Sequence, residues 1–187
     1  MNEVLSHRIE ATFAHYDADG NGVIELADLY ALANRLMLGF GEPASSERGR
    51  ELIETSDRFW DALVDRCDVD RDGQISLDEY RTAMTAVLAD VDEFDDVFLE
   101  VSESLLALAD ADGDGRVEVA EFAVLLKARG LSDSECGLAF ARLDADGDGS
   151  ISLQEYVDAV YDYYTNPAEG TPGSWLYPRS GRLEPSL

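Results

Sequence analysis

The chain has 187 residues, of which 45% are hydrophobic, and its formal net charge at pH 7 is −26. This length and hydrophobic fraction suffice for a packed core, which excludes a wholly disordered chain. So acidic a surface also excludes nucleic acid and anionic membranes as expected partners, because both are bound mainly through lysine and arginine.

Apolar residues recur at helical spacing along most of the chain and predict a series of helices. The breaker Gly39–Pro43 and the capping-box pattern Ser132–Glu135 mark two of the helix boundaries. The predicted helices cover about 2–16, 26 to near 39, 46–67, 77–87, 94–106, 119 to near 130, 132–143 and 153–164.

Four acidic stretches of twelve residues separate pairs of these helices, at 17–28, 68–79, 110–121 and 144–155. Each has oxygen-bearing side chains at positions one, three and five, a glycine at six and a carboxylate at twelve. Calcium takes six to eight oxygens at roughly 2.3–2.6 Å, and a twelve-residue loop with this spacing can wrap around the ion. The pattern predicts four EF-hand units, each a helix-loop-helix.

The predicted ligands follow from the loop positions. Position seven contributes only its backbone carbonyl, so its side chain is free to vary. The candidate calcium ligands are Asp17, Asp19, Asn21, Val23 and Asp28 in loop one; Asp68, Asp70, Asp72, Gln74 and Glu79 in loop two; Asp110, Asp112, Asp114, Arg116 and Glu121 in loop three; and Asp144, Asp146, Asp148, Ser150 and Glu155 in loop four.

Loop one departs from the pattern of the other three. It has an amide, Asn21, at position five and an aspartate, Asp28, at position twelve. The shorter Asp28 side chain is expected to bind through one oxygen, which lowers the coordination number. We therefore expect weaker calcium binding there, or occupancy by the smaller, octahedral magnesium ion. Glu25 at position nine is a candidate for partial compensation.

Position eight is β-branched in every loop, which favours a short extended segment. We expect Ile24 to pair with the Ile75 region and Val117 with the Ile151 region. The chain is then all-α, with four EF-hand units in two pairs, within residues 1–90 and 91–164. The connection Ala89–Glu93 contains no glycine or proline, and so short a link favours a compact molecule over a dumbbell.

The last part of the chain, residues 165–187, is rich in proline and glycine and cannot continue a helix. Its Trp175-Leu176-Tyr177 cluster is more apolar than a free tail requires. We expect this cluster to fold back into an apolar groove between the hands and help keep the molecule closed. The alternative is a mobile tail.

The four loops, with the wide gap between the first and second, resemble those of the sarcoplasmic calcium-binding protein and calerythrin group. That resemblance covers nearly the whole chain and implies a compact cytosolic protein with four hands, regarded mainly as a calcium buffer. Members commonly have a degenerate hand, often the second. Here the second, 68–79, is intact and the first is the unusual one, so the resemblance does not imply a metal stoichiometry.

A monomeric calcium buffer or transporter is therefore the first functional prediction, with a sensor as the alternative. Sensors expose a flexible, methionine-rich groove when calcium binds. This chain has only Met1, Met37 and Met84, so its hands are expected to open less. Calcium, and possible competition by magnesium, are the expected interactions; the sequence names no protein target.

Other classes of protein fit less well. The two histidines, His7 and His15, form no recognisable dyad or ligand set and no nucleophile motif is present, so an enzyme is not expected. A photoprotein-like ligand binder needs a large apolar cavity, which the sequence leaves open. A secreted dockerin is disfavoured by the full entering helices and the absent export signal. We expect a cytoplasmic protein, with Cys67 and Cys136 as packed free thiols.

Overall fold

A computed structural model describes residues 3–88, 91–168 and 170–177, apart from the side chains of residues 91–93 and 95–97. Helices flank all four loops in these ranges, which confirms the all-α prediction. Loops one and two contain the short strands β1, Val23–Ile24, and β2, Ile75–Ser76. The helices are α1 Glu3–Tyr16, α2 Leu26–Phe40, α3 Glu47–Cys67, α4 Leu77–Val87, α5 Val91–Ala109, α6 Val119–Ala128, α7 Asp133–Leu143 and α8 Leu153–Thr165, and a turn of 3-10 helix spans Gly173–Trp175.

Local side-chain hydrogen bonds explain where several helices begin and end. The Ser46 side chain accepts a hydrogen bond from the backbone N–H of Gly49, which caps α3 at its predicted start. Ser132 and Glu135 form the predicted capping box at the start of α7. The helix α2 continues past the predicted stop near Gly39 to Phe40. Its C-cap residue, Gly41, has a φ of 68°, the left-handed conformation that glycine adopts easily.

The loops pair as their β-branched residues predict. β1 and β2 are antiparallel, and Ile24 lies opposite Ile75. In the second pair, Glu118 and Ser150 form an antiparallel bridge. The backbone N–H of Ile151 donates to the carbonyl of Val117 at 2.8 Å. Loop one is therefore joined to loop two, and loop three to loop four, through their backbones.

The apolar faces of the four hands share one hydrophobic core. α3 packs against α2 and α5, and α2 also packs against α6, so helices before and after the central connection are in direct contact. Both halves contribute completely or almost completely buried side chains, among them Ile9, Tyr80, Phe94, Phe122 and Tyr156. The four EF-hand units therefore form the predicted compact molecule. Residues 89 and 90 of the central connection lie outside the described residues.

The segment after α8 packs back onto that helix. Gly173 lies so close to α8 that a Cβ atom there would be 2.3 Å from the carbonyl oxygen of Ala159. Leu176 is completely buried, and the Tyr177 ring lies 4.8 Å from that of Tyr163 and 5.5 Å from that of His15. The part of the expected tail from residue 178 onward lies outside the described residues.

Two further features are the absence of membrane-spanning helices in the described part of the chain and the state of the two cysteines. Among the described helices, none is long and apolar enough to cross a membrane. Cys67 and Cys136 are buried free thiols, as predicted. Burial raises the pKa of the Cys67 thiol to about 12, so it stays protonated at neutral pH.

Candidate metal centres

Each loop brings the carboxylates of positions one, three and twelve together at one point. One oxygen from each of the three lies within 4.8 Å of the others in its group. Oxygens that bind one calcium ion at roughly 2.3–2.6 Å can be no more than about 5 Å apart, so the spacing fits a shared ion. The groups are Asp17, Asp19 and Asp28; Asp68, Asp70 and Glu79; Asp110, Asp112 and Glu121; and Asp144, Asp146 and Glu155.

The aspartate at position one holds the first half of its loop in a turn. In loop two, Asp68 Oδ1 accepts a hydrogen bond from the backbone N–H of Asp72, and its Oδ2 accepts one from that of Gly73. Gly73 at position six has a φ of 80°, which favours a residue without Cβ. The same two hydrogen bonds recur at Asp17, Asp110 and Asp144.

The carboxylate at position twelve joins the two ends of its loop. In loop two, Glu79 Oε1 accepts from the backbone N–H of Val69 at 3.1 Å, and Oε2 accepts from the N–H and hydroxyl of Ser76 at 2.9 and 2.7 Å. Ser76 also caps α4, so the carboxylate that closes the loop belongs to the capping box of the helix that follows. The equivalent end-to-end hydrogen bonds occur at Asp28, Glu121 and Glu155.

The sequence predictions do not include these caps. Their signal is the Ser-x-x-Glu pattern at Ser76–Glu79 and Ser152–Glu155, the same pattern that predicts the cap at Ser132–Glu135. The loop pattern predicts only a metal ligand at position twelve, but the two oxygens of that residue also organise the helix start. The exiting helix and the candidate metal centre are therefore built around one side chain.

Hydrogen bonds favour the ionised form of several candidate ligands. Hydrogen bonds from Ser76 lower the pKa of Glu79, and those from Ser150 lower the pKa of Asp148. At Glu155, burial opposes ionisation, but hydrogen bonds from Ser152 and from the start of the loop outweigh it and lower the pKa. These carboxylates are charged at neutral pH, which suits a divalent cation. Without a cation, each is repelled by the other carboxylates of its own loop.

Position five lies outside the converging groups. The side chains of Asp72, Asp114 and Asp148 instead accept hydrogen bonds from the backbone N–H of position seven, at 2.8 to 2.9 Å. Asn21 does the same in loop one. Side chains at position seven link paired loops: Arg116 Nη2 donates to Asp148 Oδ2 at 3.2 Å, and Gln74 Nε2 donates to Glu25 Oε1 at 2.7 Å.

Loop one keeps the same architecture despite its shorter closing residue. Asp28 Oδ1 accepts from the N–H of Ala18 at 3.1 Å, and Oδ2 accepts from the N–H of Glu25 at 2.8 Å. Asp28 is only 4% exposed, so the loop wraps it closely. Glu25 is the N-cap residue of α2, and its side chain accepts a hydrogen bond from the side-chain amide of Gln74 in loop two. Loop one is thus fully formed and tied to loop two.

The fold and the four acidic loops define the class of the protein. An EF-hand domain pair matches residues 7–85 and 99–161, which include all four loops. The chain therefore belongs to the EF-hand family and binds calcium. Comparison with known proteins confirms its resemblance to calerythrin and the sarcoplasmic calcium-binding proteins.

Calerythrin of Saccharopolyspora erythraea is 29% identical to the chain over 163 residues, which cover 86% of this chain and 92% of calerythrin. A Streptomyces coelicolor calcium-binding protein, whose structure is described in connection with prokaryotic calcium-mediated regulation, superposes with a TM-score of 0.78 at 36% identity. The match covers 88% of this chain and 99% of the Streptomyces coelicolor chain. The sarcoplasmic calcium-binding protein of amphioxus has a TM-score of 0.77 at 20% identity, covering 96% and 100%. Two of these relatives are described as calcium-binding proteins, in agreement with the four acidic loops of this chain.

Proposed function

We propose that every loop binds its ion through positions one, three, five, seven and twelve, which assigns the ligand role to the residues predicted from the sequence. The convergence of positions one, three and twelve in each loop supports this assignment. Calcium's need for six to eight oxygens supports adding the side chain at position five and the carbonyl at position seven. Binding would draw position five toward the ion and replace its hydrogen bond to position seven.

Loop one is the weaker calcium site in this proposal, or the one that accepts magnesium. Its closing residue, Asp28, already uses one oxygen toward Ala18 and the other toward Glu25. A short, buried aspartate with both oxygens engaged has little freedom to turn both of them toward a large ion. Magnesium asks for fewer protein oxygens and a smaller, octahedral arrangement.

The protein's proposed role is that of a monomeric, cytosolic calcium buffer or transporter. The observation that carries this proposal is the single core, in which the apolar faces of the hands cover one another. Met37 and Met84 lie inside this core, at 5% and 3% exposed, and form no methionine-rich surface. A hand whose apolar face is already covered gains little by opening when calcium binds.

A calcium sensor is the second candidate. The similar Streptomyces coelicolor protein is associated by its description with calcium-mediated regulation. In that case calcium would release part of the core to a target protein. For both candidates, the proposed division of the chain is an N-terminal pair within 1–90, a C-terminal pair within 91–164 and a C-terminal segment from 165 onward.

A dye titration separates the two candidates. The full chain, freed of metal with EDTA, is titrated with calcium in the presence of an apolar-surface dye, and the same titration is repeated with magnesium. A buffer is expected to give an unchanged or falling dye signal, because binding tightens the loops around a covered core. A large rise in dye fluorescence on calcium, but not on magnesium, would contradict the buffer and favour the sensor.

A further inference from the structure

An apolar cavity of about 80 Å³, called the central cavity below, lies among five helices. Side chains from α1, α2, α3, α5 and α6 line this central cavity, and Tyr177 closes it from the C-terminal segment. Leucine is the commonest residue of the lining, and Phe59 is also part of it. A cavity of about 150 Å³ with such walls takes benzene, so the central cavity has room for a slim alkyl chain of a few carbons. It is separate from the four calcium loops.

A buried cation, Arg129, also lines the central cavity. It follows the last residue of α6 and is 7% exposed. Its guanidinium carbon lies 5.1 Å from the ring centre of Tyr177 and 5.6 Å from that of Tyr156, and Nη2 donates to the Tyr156 hydroxyl. These ring faces and the C-terminal end of α6 both favour a positive charge at this place.

The charge of Arg129 is nevertheless incompletely satisfied. Among the described residues no carboxylate forms an ion pair with it, and no Asp or Glu is among the residues that line the cavity. Its Nη1 is buried without a hydrogen-bond partner in the same part of the chain. Buried donors are normally paired and buried charges normally have a counter-ion. A ligand with an anionic group and an apolar body would pair with this unsatisfied donor and fill the apolar cavity beside it.

We propose that the central cavity binds a small apolar carboxylate, with its alkyl chain among the leucine side chains and its carboxylate on Nη1 of Arg129. The ligand supplies the missing counter-ion and fills the empty space in one step. Leu29, Leu52 and Leu125 come from three different helices and surround the chain of the ligand. Neither the charge nor the apolar body is sufficient alone, so the site discriminates against acetate and against a neutral alcohol.

Isothermal calorimetry on the calcium-saturated full chain tests this site with sodium butanoate, sodium acetate and butan-1-ol as probes. Butanoate is expected to bind at least about tenfold more tightly than either of the others, a difference of about 1.4 kcal/mol. Arg129→Met should reduce butanoate binding to the level of butan-1-ol. The matched control is Arg142→Met, an exposed arginine on α7, which should leave butanoate binding unchanged.

A second variant keeps the test decisive if Arg129→Met does not fold. Ala33→Leu retains Arg129 and places extra methyl groups in the cavity, so both butanoate and butan-1-ol binding should be lost. Calcium titration of each variant should match that of the parent chain, which separates this site from the EF-hand loops. Butanoate binding no tighter than acetate or butan-1-ol, or unaffected by Ala33→Leu, would overturn the proposal.

Discussion

Ile24 lies directly opposite Ile75 in the antiparallel pair between loops one and two, and both side chains are completely buried. Each residue occupies position eight of its loop, between the glycine turn and the closing carboxylate. A displacement of either strand is therefore expected to move the candidate ligands of both loops. We expect the two candidate ion sites of the first pair to be coupled through this contact.

Replacing Ile75 with alanine is expected to weaken calcium binding at loop one as well as loop two. The change removes buried methyl groups and should also lower the free energy of unfolding by about 2–5 kcal/mol. Urea unfolding and calcium calorimetry measure the two effects. Val69→Ala is the control, because Val69 lies in the same loop but is 76% exposed. An Ile75→Ala variant with normal binding at loop one would show that the pair is not coupled.

Replacing Glu155 with glutamine should weaken calcium binding at loop four by about tenfold or more, equivalent to at least about 1.4 kcal/mol. The amide keeps the size of the side chain but removes the charge, and only one of its atoms can accept. Calorimetry would record one weakened site beside unchanged others. Glu54→Gln changes an exposed glutamate on α3 and should leave every site as it was. Identical stoichiometry and affinity in Glu155→Gln would remove position twelve from the ligand set.

A reciprocal exchange tests the account of loop one. Asp28→Glu lengthens the closing side chain and should raise the preference of loop one for calcium over magnesium. Glu79→Asp shortens the closing side chain of loop two and should lower the same preference there. Calcium titrations with and without magnesium measure both. If the two changes shifted selectivity in the same direction, side-chain length at position twelve would not be the controlling factor.

Replacing Gly173 with alanine should detach the C-terminal segment from α8. A Cβ at this position would meet backbone atoms of Ala159 and Tyr163 at 2.3 and 2.4 Å, and neither can move without shifting α8. We expect a loss of about 1–3 kcal/mol in unfolding free energy and faster proteolysis after Asn166. Gly137→Ala, on α7 with open space around its Cβ, should be neutral or slightly stabilising. Equal stability of the two variants would show that the close approach is not required.

The loops, the helices around them and the pairing of the hands could be predicted because their signals are local. Asp144, Gly149 and Glu155 lie within one twelve-residue stretch, and their chemistry depends on spacing along the chain. The start of α3 next to Ser46 is likewise predicted, because the breaker Gly39–Pro43 ends the preceding helix a few residues earlier. A degenerate position such as Asp28 is equally visible, although its close burial is not.

The central cavity could not be predicted because its residues come together only through tertiary packing. In the sequence, Arg129 looks like an ordinary basic residue at a helix end before Gly130, a place where arginine is usually exposed. Its burial depends on Tyr156 and Tyr177, which are distant in sequence. His15, which has no recognisable partner in the sequence, also lines the cavity. Burial there, and then the nearby charges of Arg129 and Arg35, lower its pKa to about 3.

The contact that Gly173 makes with α8 could not be predicted from the sequence either. Within a stretch rich in proline and glycine it reads as a helix breaker, and nothing nearby in the sequence indicates a partner. The structure shows that it is the point of closest approach between the C-terminal segment and α8. Contacts of this kind depend on which surfaces meet, and a single sequence does not record them.

Calcium calorimetry of the EDTA-treated full chain, with retained metal counted by native mass spectrometry, tests the central claim most directly. Four loops with converging carboxylates predict saturable binding of up to four calcium ions, with loop one the last to fill. Binding should also raise the melting temperature in step with the free calcium concentration. A chain that releases no heat and retains no ion at about 1 mM calcium would contradict the assignment of these loops as calcium sites.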